Sequence, residues 1–303
     1  MAAPTTPQWI TTPRQRKMHQ NTVKNLKTGA SMTLFVLMAM YFLFPLVWLM
    51  VSATKDTHQL FKLGVFSTPT HLRLFYNLHW LFTYGGDIYL RWFANSVGYS
   101  GTVAILATLI SAMLGYALAK YDFWGKRIVF SVVLAGLMVP VAVLTIPIFL
   151  LEDHIGLINS YLGVILPMLV SPFGVYFMYV YTRSAVPTEL LEAGRVDGAR
   201  DFFIFFRIVV PVILPGLVTL ILINFVGSWN NFFLPLVLLN NPKLFPVTLG
   251  LESWAANLNA VGAIPLYPLV ITGAFLSVLP MLVLFPILRR YINIGLTSGG
   301  IKG

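Results

Sequence analysis

Six stretches of this chain contain no aspartate, glutamate, lysine or arginine, and their length constrains the fold more than any other feature of the sequence. They cover residues 28–54, 92–119, 128–151, 155–182, 208–242 and 253–288. A helix of about 20 apolar residues crosses the hydrocarbon core of a bilayer. In lipid, such a helix satisfies its own backbone hydrogen bonds without closing into a barrel. The sequence therefore predicts an all-α fold, a polytopic bundle of six transmembrane helices.

The boundaries of the predicted spans follow from the apolar residues within these stretches. Charged residues make up only 10% of the chain, against about a quarter in soluble domains. We place the spans at residues 31–53, 97–119, 128–151, 158–181, 209–229 and 268–288. The fifth stretch is too long for one span and is interrupted by Pro211, Pro215, Gly227 and Pro235. We expect one bent helix there, followed by a non-spanning segment that dips back toward the membrane.

The distribution of basic residues predicts the orientation of the chain. With a cytoplasmic N-terminus, fifteen of the 20 lysines and arginines lie in segments on the inner side, as the positive-inside rule requires. Both termini are then cytoplasmic. Residues 1–30 are expected to form a basic, disordered cytoplasmic tail, and residues 31–303 a transmembrane domain that ends in a short cytoplasmic tail. The net charge of +10 is explained by topology and by contact with anionic lipid, so we expect no nucleic-acid partner.

The sequence contains no pattern that indicates an enzyme. It has no HExxH motif, no G-x-S-x-G motif and no phosphate-binding loop. It also has no cysteine, so disulfides and thiolate metal sites are excluded. We expect no catalytic residue, metal site or cofactor. The charge-free stretches contain no histidine either. A proton relay within the spans therefore has no ionisable groups to use. Transport against a gradient would need energy from elsewhere.

The segment between the fourth and fifth spans predicts a short helix on the cytoplasmic side. Thr188 is a candidate N-cap, and the helix is expected to reach Val196. Gly198 permits a sharp turn, after which Asp201 could cap a second helix. A short amphipathic helix that projects from a membrane protein is either an interfacial anchor or a docking helix for a partner. The residues alone leave these two alternatives open.

This segment resembles the loop shared by permease subunits of ATP-binding-cassette importers. The family pattern is Glu-Ala-Ala, three variable residues, a glycine, nine variable residues and Ile-x-Leu-Pro. Glu192, Ala193, Gly198, Ile208 and Pro211 match it at that spacing. Valine occupies position 210 instead of leucine, and glycine occupies position 194 instead of the second alanine. The second difference is expected to weaken the helix by up to about 1 kcal/mol.

Three further segments narrow the resemblance, which extends over residues 30–303. Residues 157–167 are similar to the start of the fourth span in maltose-type sugar permeases, and residues 228–237 to the membrane-reentering segment of that class. The final residues 295–303, Gly-Leu-Thr-Ser-Gly-Gly-Ile-Lys-Gly, resemble the C-terminal signature of the maltose-type second permease. The chain is therefore identified as similar to carbohydrate-importer permeases.

The resemblance implies a set of partners and a role for the loop. In this family two permeases form the translocation path, two ATPase subunits bind their cytoplasmic face, and an external solute-binding protein delivers the sugar. The loop helix is then a coupling helix that docks on the ATPase, and the C-terminal tail contacts the same subunit. The implied residues are Glu192, Ala193, Gly194, Asp197, Gly198 and Ala199 in the loop, and Lys302 and Gly303 in the tail. The implied location is the plasma (inner) membrane of a prokaryote.

The sugar path is predicted from the end of the fifth span. Sugars are commonly held by aromatic stacking and hydrogen bonds, so Trp229, Asn230 and Asn231 are candidates. The alternatives are that Trp229 marks the membrane interface and that the asparagines stabilise the end of a helix. Asn224 lies deeper in the same span, where it could face the path or bond to a neighbouring helix.

Three functions remain to be distinguished. The first is a permease subunit, without enzymatic activity, of an ATP-driven importer for a sugar or oligosaccharide. The second keeps this architecture but carries another polar solute such as glycerol-phosphate; the absence of basic residues in the spans favours a neutral sugar. The third is a membrane enzyme or scaffold, which no constellation of residues supports.

Overall fold

The computed structural model describes residues 13–64, 67, 69, 71–258 and 264–298. Regular secondary structure within these residues is entirely helical. The helices are α1 Pro13–Ser52, α2 Thr57–Lys62, α3 Leu74–Thr83, α4 Ile88–Lys120, α5 Lys126–Met138, α6 Val141–His154, α7 Tyr161–Leu169, α8 Pro172–Ala185, α9 Thr188–Val196, α10 Asp201–Ile204, α11 Val210–Trp229, α12 Phe233–Leu238, α13 Val247–Ala256 and α14 Tyr267–Ser298. A π-helical turn, Phe205–Val209, joins α10 to α11, and a 3₁₀ turn, Pro242–Leu244, precedes α13.

The number of membrane-spanning segments agrees with the prediction. Five helical segments are long and apolar enough to cross a bilayer: Ser31–Ser52, Ile88–Lys120, Tyr161–Ala185, Asp201–Trp229 and Tyr267–Ile287. The pair α5 and α6 makes a sixth if it is counted as one broken span. The all-α transmembrane bundle is therefore confirmed.

The third span differs from the single straight helix that was predicted over residues 128–151. α5 and α6 meet at an angle of 110°. Pro140 has no backbone N–H and disfavours the helical conformation of the residue before it. Val139 accordingly adopts an extended conformation, with φ −88° and ψ 119°. The charge-free stretch predicted the apolar length of this segment but not its direction.

The first helix begins earlier than predicted. Residues 1–30 were expected to be a disordered tail, but α1 starts at Pro13 and runs without interruption into the first span. Proline is well suited to the first turn of a helix, and the residues after it include the good helix formers arginine, glutamine, lysine and methionine. Residues 1–12 lie outside the part of the chain that the structure describes.

The fifth stretch divides as its prolines and asparagines predicted. α11 ends at Trp229, and the backbone then leaves the helical path before the six-residue α12. Such a helix is far too short to cross a membrane. Pro211 lies in the first turn of α11, directly after the π-helical turn Phe205–Val209.

α4 lies at the centre of the bundle and packs against α8 and α11. Small residues allow the closest approach: a Cβ atom on Gly115 would lie 2.7 Å from the Tyr179 backbone nitrogen. Helices in membranes pack closely through such residues.

Two apolar clusters lie at the two ends of α4. The first joins α4, α8, α9, α10 and α11, and we call this side of the molecule the α9 end. The second joins α3, α4, α11, α13 and α14, and we call it the far end.

Candidate functional site

The predicted cytoplasmic helix is present as α9, and it spans Thr188–Val196. Its first turn differs from the prediction in one detail. Pro187, with ψ 145°, is the N-cap, and Thr188 is the first helical residue. Likewise Asp201 is the first residue of α10 and Arg200 is its N-cap. Because proline fixes φ near −65° and has no N–H, Pro187 can precede a helix without losing a hydrogen bond.

α9 has one buried and one exposed face. Leu191 is 2% exposed, and Gly194 is buried against Ile204 and Ile208. A Cβ atom on Gly194 would lie 2.9 Å from the Ile208 Cδ1 atom. The glycine that replaces the second alanine of the family pattern therefore permits a close contact between α9 and the π-helical turn. The opposite face carries Glu189, Glu192, Ala193, Val196 and Asp197, all of them exposed.

Gly198 ends α9 in the manner that the sequence predicted. Its φ is +79°, a conformation that glycine adopts without steric cost. The Gly198 N–H donates to the Arg195 carbonyl and the Ala199 N–H donates to the Gly194 carbonyl, both at 3.0 Å. This pair of bonds is the Schellman motif, which satisfies the last carbonyls of a helix. The motif fixes the direction in which the chain leaves α9 toward α10.

Four polar and aromatic side chains join α9 to the end of α4, and we call Tyr116, Tyr121, Arg195 and Asp201 the Tyr121 cluster. The Tyr121 hydroxyl donates to Asp201 Oδ1 at 2.8 Å and lies 3.0 Å from the Tyr116 hydroxyl. The Arg195 guanidinium carbon lies 5.4 Å from the centre of the Tyr121 ring, and its Nη2 lies 3.7 Å from Asp201 Oδ1. Hydrogen bonding to the Tyr121 side chain raises the pKa of Arg195, which therefore stays positively charged.

A cavity of about 340 Å³ opens beside this cluster, between α4 and α10. Its walls include Met113, Ala117 and Phe205 together with Tyr116 and Tyr121. Sequence reasoning identified Asp201 as a helix cap but missed the other members of the cluster. Tyr121 and Asp201 are 80 positions apart, and no local pattern indicates their contact.

Trp229 lies in the apolar cluster of the far end. It is 3% exposed, its indole N–H donates to the Ser277 carbonyl at 3.2 Å, and its ring stacks on Phe225 with centres 5.7 Å apart. A sugar could reach this ring only after the neighbouring helices move. Its role in the sugar path stays a prediction.

The three asparagines near Trp229 have different surroundings. Asn224 Nδ2 donates to Thr108 Oγ1 at 3.0 Å, a bond to a neighbouring helix, which was one of its two predicted roles. Asn230 is exposed and donates to the Val226 carbonyl, a contact within its own helix end. Asn231 Nδ2 lies 3.2 Å from the sulfur of Met168. The side chains of Trp229, Asn230 and Asn231 therefore have separate partners and do not line one shared binding site.

Glu152 is a buried ionisable residue directly after the third charge-free stretch. It belongs to the last turn of α6, is 3% exposed, and its Oε2 atom has no hydrogen-bond partner among the described residues. The adjacent Asp153 and His154 are exposed. A proton relay needs a chain of facing groups within the membrane, and one buried carboxyl group does not supply it.

Lys302 and Gly303, which the resemblance placed at the ATPase, lie outside the residues that the structure describes. Their contact stays a prediction. α14 is described as far as Ser298.

Comparison with known proteins identifies the family. Residues 107–297 match the family described as the inner membrane component of binding-protein-dependent transport systems. The matched region begins within α4 and includes α9, the whole Tyr121 cluster and most of α14. It therefore contains the elements that form the α9 end.

Relatives with assigned names are similar over nearly the whole chain. The arabinooligosaccharides transport system permease protein AraQ of Bacillus subtilis is 38% identical, with 89% of this chain and 94% of the relative covered. The diacetylchitobiose uptake system permease protein NgcG of Streptomyces coelicolor is 31% identical, over 89% and 87% of the two chains.

A solved structure shares the fold. It is a bacterial ABC transporter involved in the import of the acidic polysaccharide alginate, and its matched chain superposes with a TM-score of 0.75 at 20% identity. The match covers 89% of this chain and 97% of that one. The family match and the named relatives confirm the resemblance to importer permeases, and they identify a transport subunit in place of the alternative of an enzyme. The chain belongs to the family of inner membrane components of binding-protein-dependent transport systems.

Proposed function

We propose that this permease subunit passes a sugar or oligosaccharide from an external binding protein to the cytoplasm, driven by ATP hydrolysis on separate subunits. In this proposal the α9 end faces the cytoplasm and the far end faces outward. Seven basic side chains lie on or next to the α9 end, namely Lys120, Lys126, Arg127, Arg183, Arg195, Arg200 and Arg207. This clustering supports the orientation through the positive-inside rule.

The observation that carries the proposal is the exposed face of α9. Glu192 and Asp197 present carboxylates beside Val196, whose apolar side chain is 88% exposed. A rigid helix with a solvent-facing apolar residue and flanking charges is suited to a groove on a protein partner. Its buried face is anchored in the same apolar cluster as the spanning helices, so a force on α9 reaches the bundle. These features favour docking over interfacial anchoring.

The proposed cargo follows from the relatives. AraQ is named for arabinooligosaccharides and NgcG for diacetylchitobiose, and a permease of Rhizobium radiobacter that is 32% identical is named for lactose. All three names refer to uncharged sugars. No observation on this chain favours the glycerol-phosphate alternative.

The proposed assembly contains a second permease, two ATP-binding-cassette ATPase subunits and an external binding protein. The family description supports dependence on a binding protein. Most of the apolar surface of the first span is exposed on this chain, which leaves room for lipid and for a second permease. Both termini are proposed to be cytoplasmic. The C-terminal end of α1 and the N-terminal end of α14 both lie at the far end, so the opposite ends of these helices point toward the α9 end.

The test is to reconstitute the complex purified from its own host and measure ATP hydrolysis with a panel of loaded binding proteins. We expect a second permease and an ATPase subunit to accompany the tagged chain, and an oligosaccharide to stimulate hydrolysis. Stimulation by glycerol-phosphate but by no sugar would overturn the proposed cargo. A chain that is recovered alone, from preparations in which other complexes survive, would overturn the proposed assembly.

Gly198 provides a prediction about the docking loop. A Cβ atom there would contact nothing within 4 Å, so a substitution is penalised only by its positive φ. This conformation costs an ordinary residue about 1–2 kcal/mol, and a β-branched residue more. We expect Gly198→Val to lower the recovery of the ATPase with the tagged chain. Asparagine tolerates this conformation, so Gly198→Asn should retain the complex. Equal recovery with both variants would contradict the role assigned to the turn.

A further inference from the structure

The end of α4 holds α9 at both of its ends. Lys120 Nζ, from the last residue of α4, donates to the Val186 carbonyl just before α9 begins. Tyr121, the next residue, donates to Asp201 Oδ1 just after α9 ends. Two consecutive residues therefore contact the chain on either side of the nine-residue helix.

The contact through Tyr121 is rigid on the α4 side. The Tyr121 N–H donates to the Ala117 carbonyl and so continues the hydrogen bonding of α4 by one residue. Tyr116, which is 5% exposed, supports the Tyr121 hydroxyl and packs on Phe205 with ring centres 5.3 Å apart. Since Phe205 begins the π-helical turn, the Tyr121 cluster joins α4, α9 and the start of the α11 segment.

The contact is also rigid on the α9 side. Asp201 begins α10, and the Schellman motif at Gly198 fixes its position relative to α9. Arg195 projects from the last turn of α9, where it covers the Tyr121 ring and approaches the Asp201 carboxylate. Exposed ion pairs alone contribute little, but here the tyrosine hydroxyl and ring add a directional bond and a cation–π contact. Arg195 and Asp201 therefore contact Tyr121 from both sides of the turn that follows α9.

We propose that Tyr121 is a positioning residue that makes α4 follow α9, so that motion imposed on the coupling helix reaches the central helix of the bundle through the Tyr121–Asp201 hydrogen bond. This inference rests on the proposed docking of α9 on the ATPase. The π-helical turn gives α11 a direct covalent connection to α9. α4 has no such connection, because residues 122–187 separate it from α9 along the chain. The Tyr121 cluster connects α4 to the end of α9, as Lys120 connects it to the residue before α9 begins.

The test measures uptake and ATP hydrolysis in the same proteoliposomes containing the complete complex. Tyr121→Phe removes one hydroxyl and keeps the ring. We expect the amount of solute imported per ATP to fall between about twofold and tenfold, the effect of one net hydrogen bond, while recovery of the complex is unchanged. Asp201→Ala removes the acceptor of this hydrogen bond and should lower the same ratio, and the double variant should be no worse than the more affected single variant.

The matched control is Tyr176→Phe. The Tyr176 ring packs against Phe130 and Tyr179, and its hydroxyl has no hydrogen-bond partner among the described residues, so its removal should leave the ratio at the wild-type value. A wild-type ratio in Tyr121→Phe would overturn the inference. A loss of complex in Tyr121→Phe would also overturn it, because the residue would then serve folding. Additive losses in the double variant would exclude Asp201 as the partner.

One further variant separates this inference from the function on which it rests. Glu192→Lys changes the exposed face of α9 and leaves the Tyr121 cluster intact. If Glu192→Lys lowers uptake and Tyr121→Phe does not, docking stands and only the role of Tyr121 fails. If neither variant has an effect, the proposed docking itself fails.

Discussion

Glu192→Lys is expected to abolish most transport while the protein still folds and inserts into the membrane. Glu192 is exposed on α9, and its side chain has no described hydrogen bond or ion pair that the substitution would break. Its charge is therefore available to a partner. Reversing a charge at a protein interface places like charges together and costs several kcal/mol, and about 1.4 kcal/mol corresponds to a factor of ten. We expect uptake to fall about tenfold or more.

The measurement compares uptake, ATP hydrolysis and recovery of the ATPase subunit for the purified variant. Glu252→Lys is the matched control, because Glu252 is an exposed glutamate on a short helix at the far end. It makes the same change of charge without touching the α9 end, so recovery of the ATPase should be unaffected. Wild-type uptake with Glu192→Lys would contradict the role given to α9.

Gly250→Ala is expected to have the largest effect on stability. A Cβ atom on Gly250 would lie 2.1 Å from Trp92 Cδ2 and 2.2 Å from Trp92 Cε3. The indole cannot move aside easily, because Trp92 is 2% exposed and its N–H donates to the Pro242 carbonyl at 2.7 Å. Overpacking of this kind costs about 1–3 kcal/mol or more. We expect a clearly lower Tm for the purified chain in detergent.

Gly98→Ala on α4 is the control for this substitution. A Cβ atom on Gly98 would contact nothing within 4 Å, and alanine in a helix interior is favoured over glycine by about 0.5–1 kcal/mol. The Tm of Gly98→Ala should therefore equal or exceed that of the wild type. An unchanged Tm with Gly250→Ala would show that α13 can separate from α4 without cost.

The sequence predicted the spans well because the requirement behind them is local. Each stretch without charge must bury about 20 residues in hydrocarbon, and each contains helix in the structure, although the third is broken into α5 and α6. The break at Pro140 was missed because a count of apolar residues carries no information about direction. The helical residues between Pro13 and the first span were missed for a related reason. Their polar composition suggested a tail, but a helix already nucleated in the membrane propagates easily into good helix formers.

The site was predicted where its geometry is local and missed where it is not. Gly198 could be assigned to a turn because a left-handed conformation after a helix favours glycine. The contact of Tyr121 with Asp201 depends on the packing of α4 against α8 and α11, and no short segment contains it. For Trp229, the residue type suggested a role that the tertiary packing does not show. Its residue type suggested stacking on a sugar, yet tertiary packing uses its ring and its N–H within the far end.

The way in which α4 holds the segment before α13 bears on how this protein can diverge in evolution. Trp92, Asn95 and Tyr99 donate to the carbonyls of residues 242–245, and Ser96 Oγ accepts from the Val247 N–H. Arg91 adds a bond to the Lys243 carbonyl. Every one of these bonds reaches main-chain atoms of the segment. The exposed side chain of Lys243 can therefore be exchanged by mutation while the anchoring stays in place, which lets the surface of the far end change on an unchanged support.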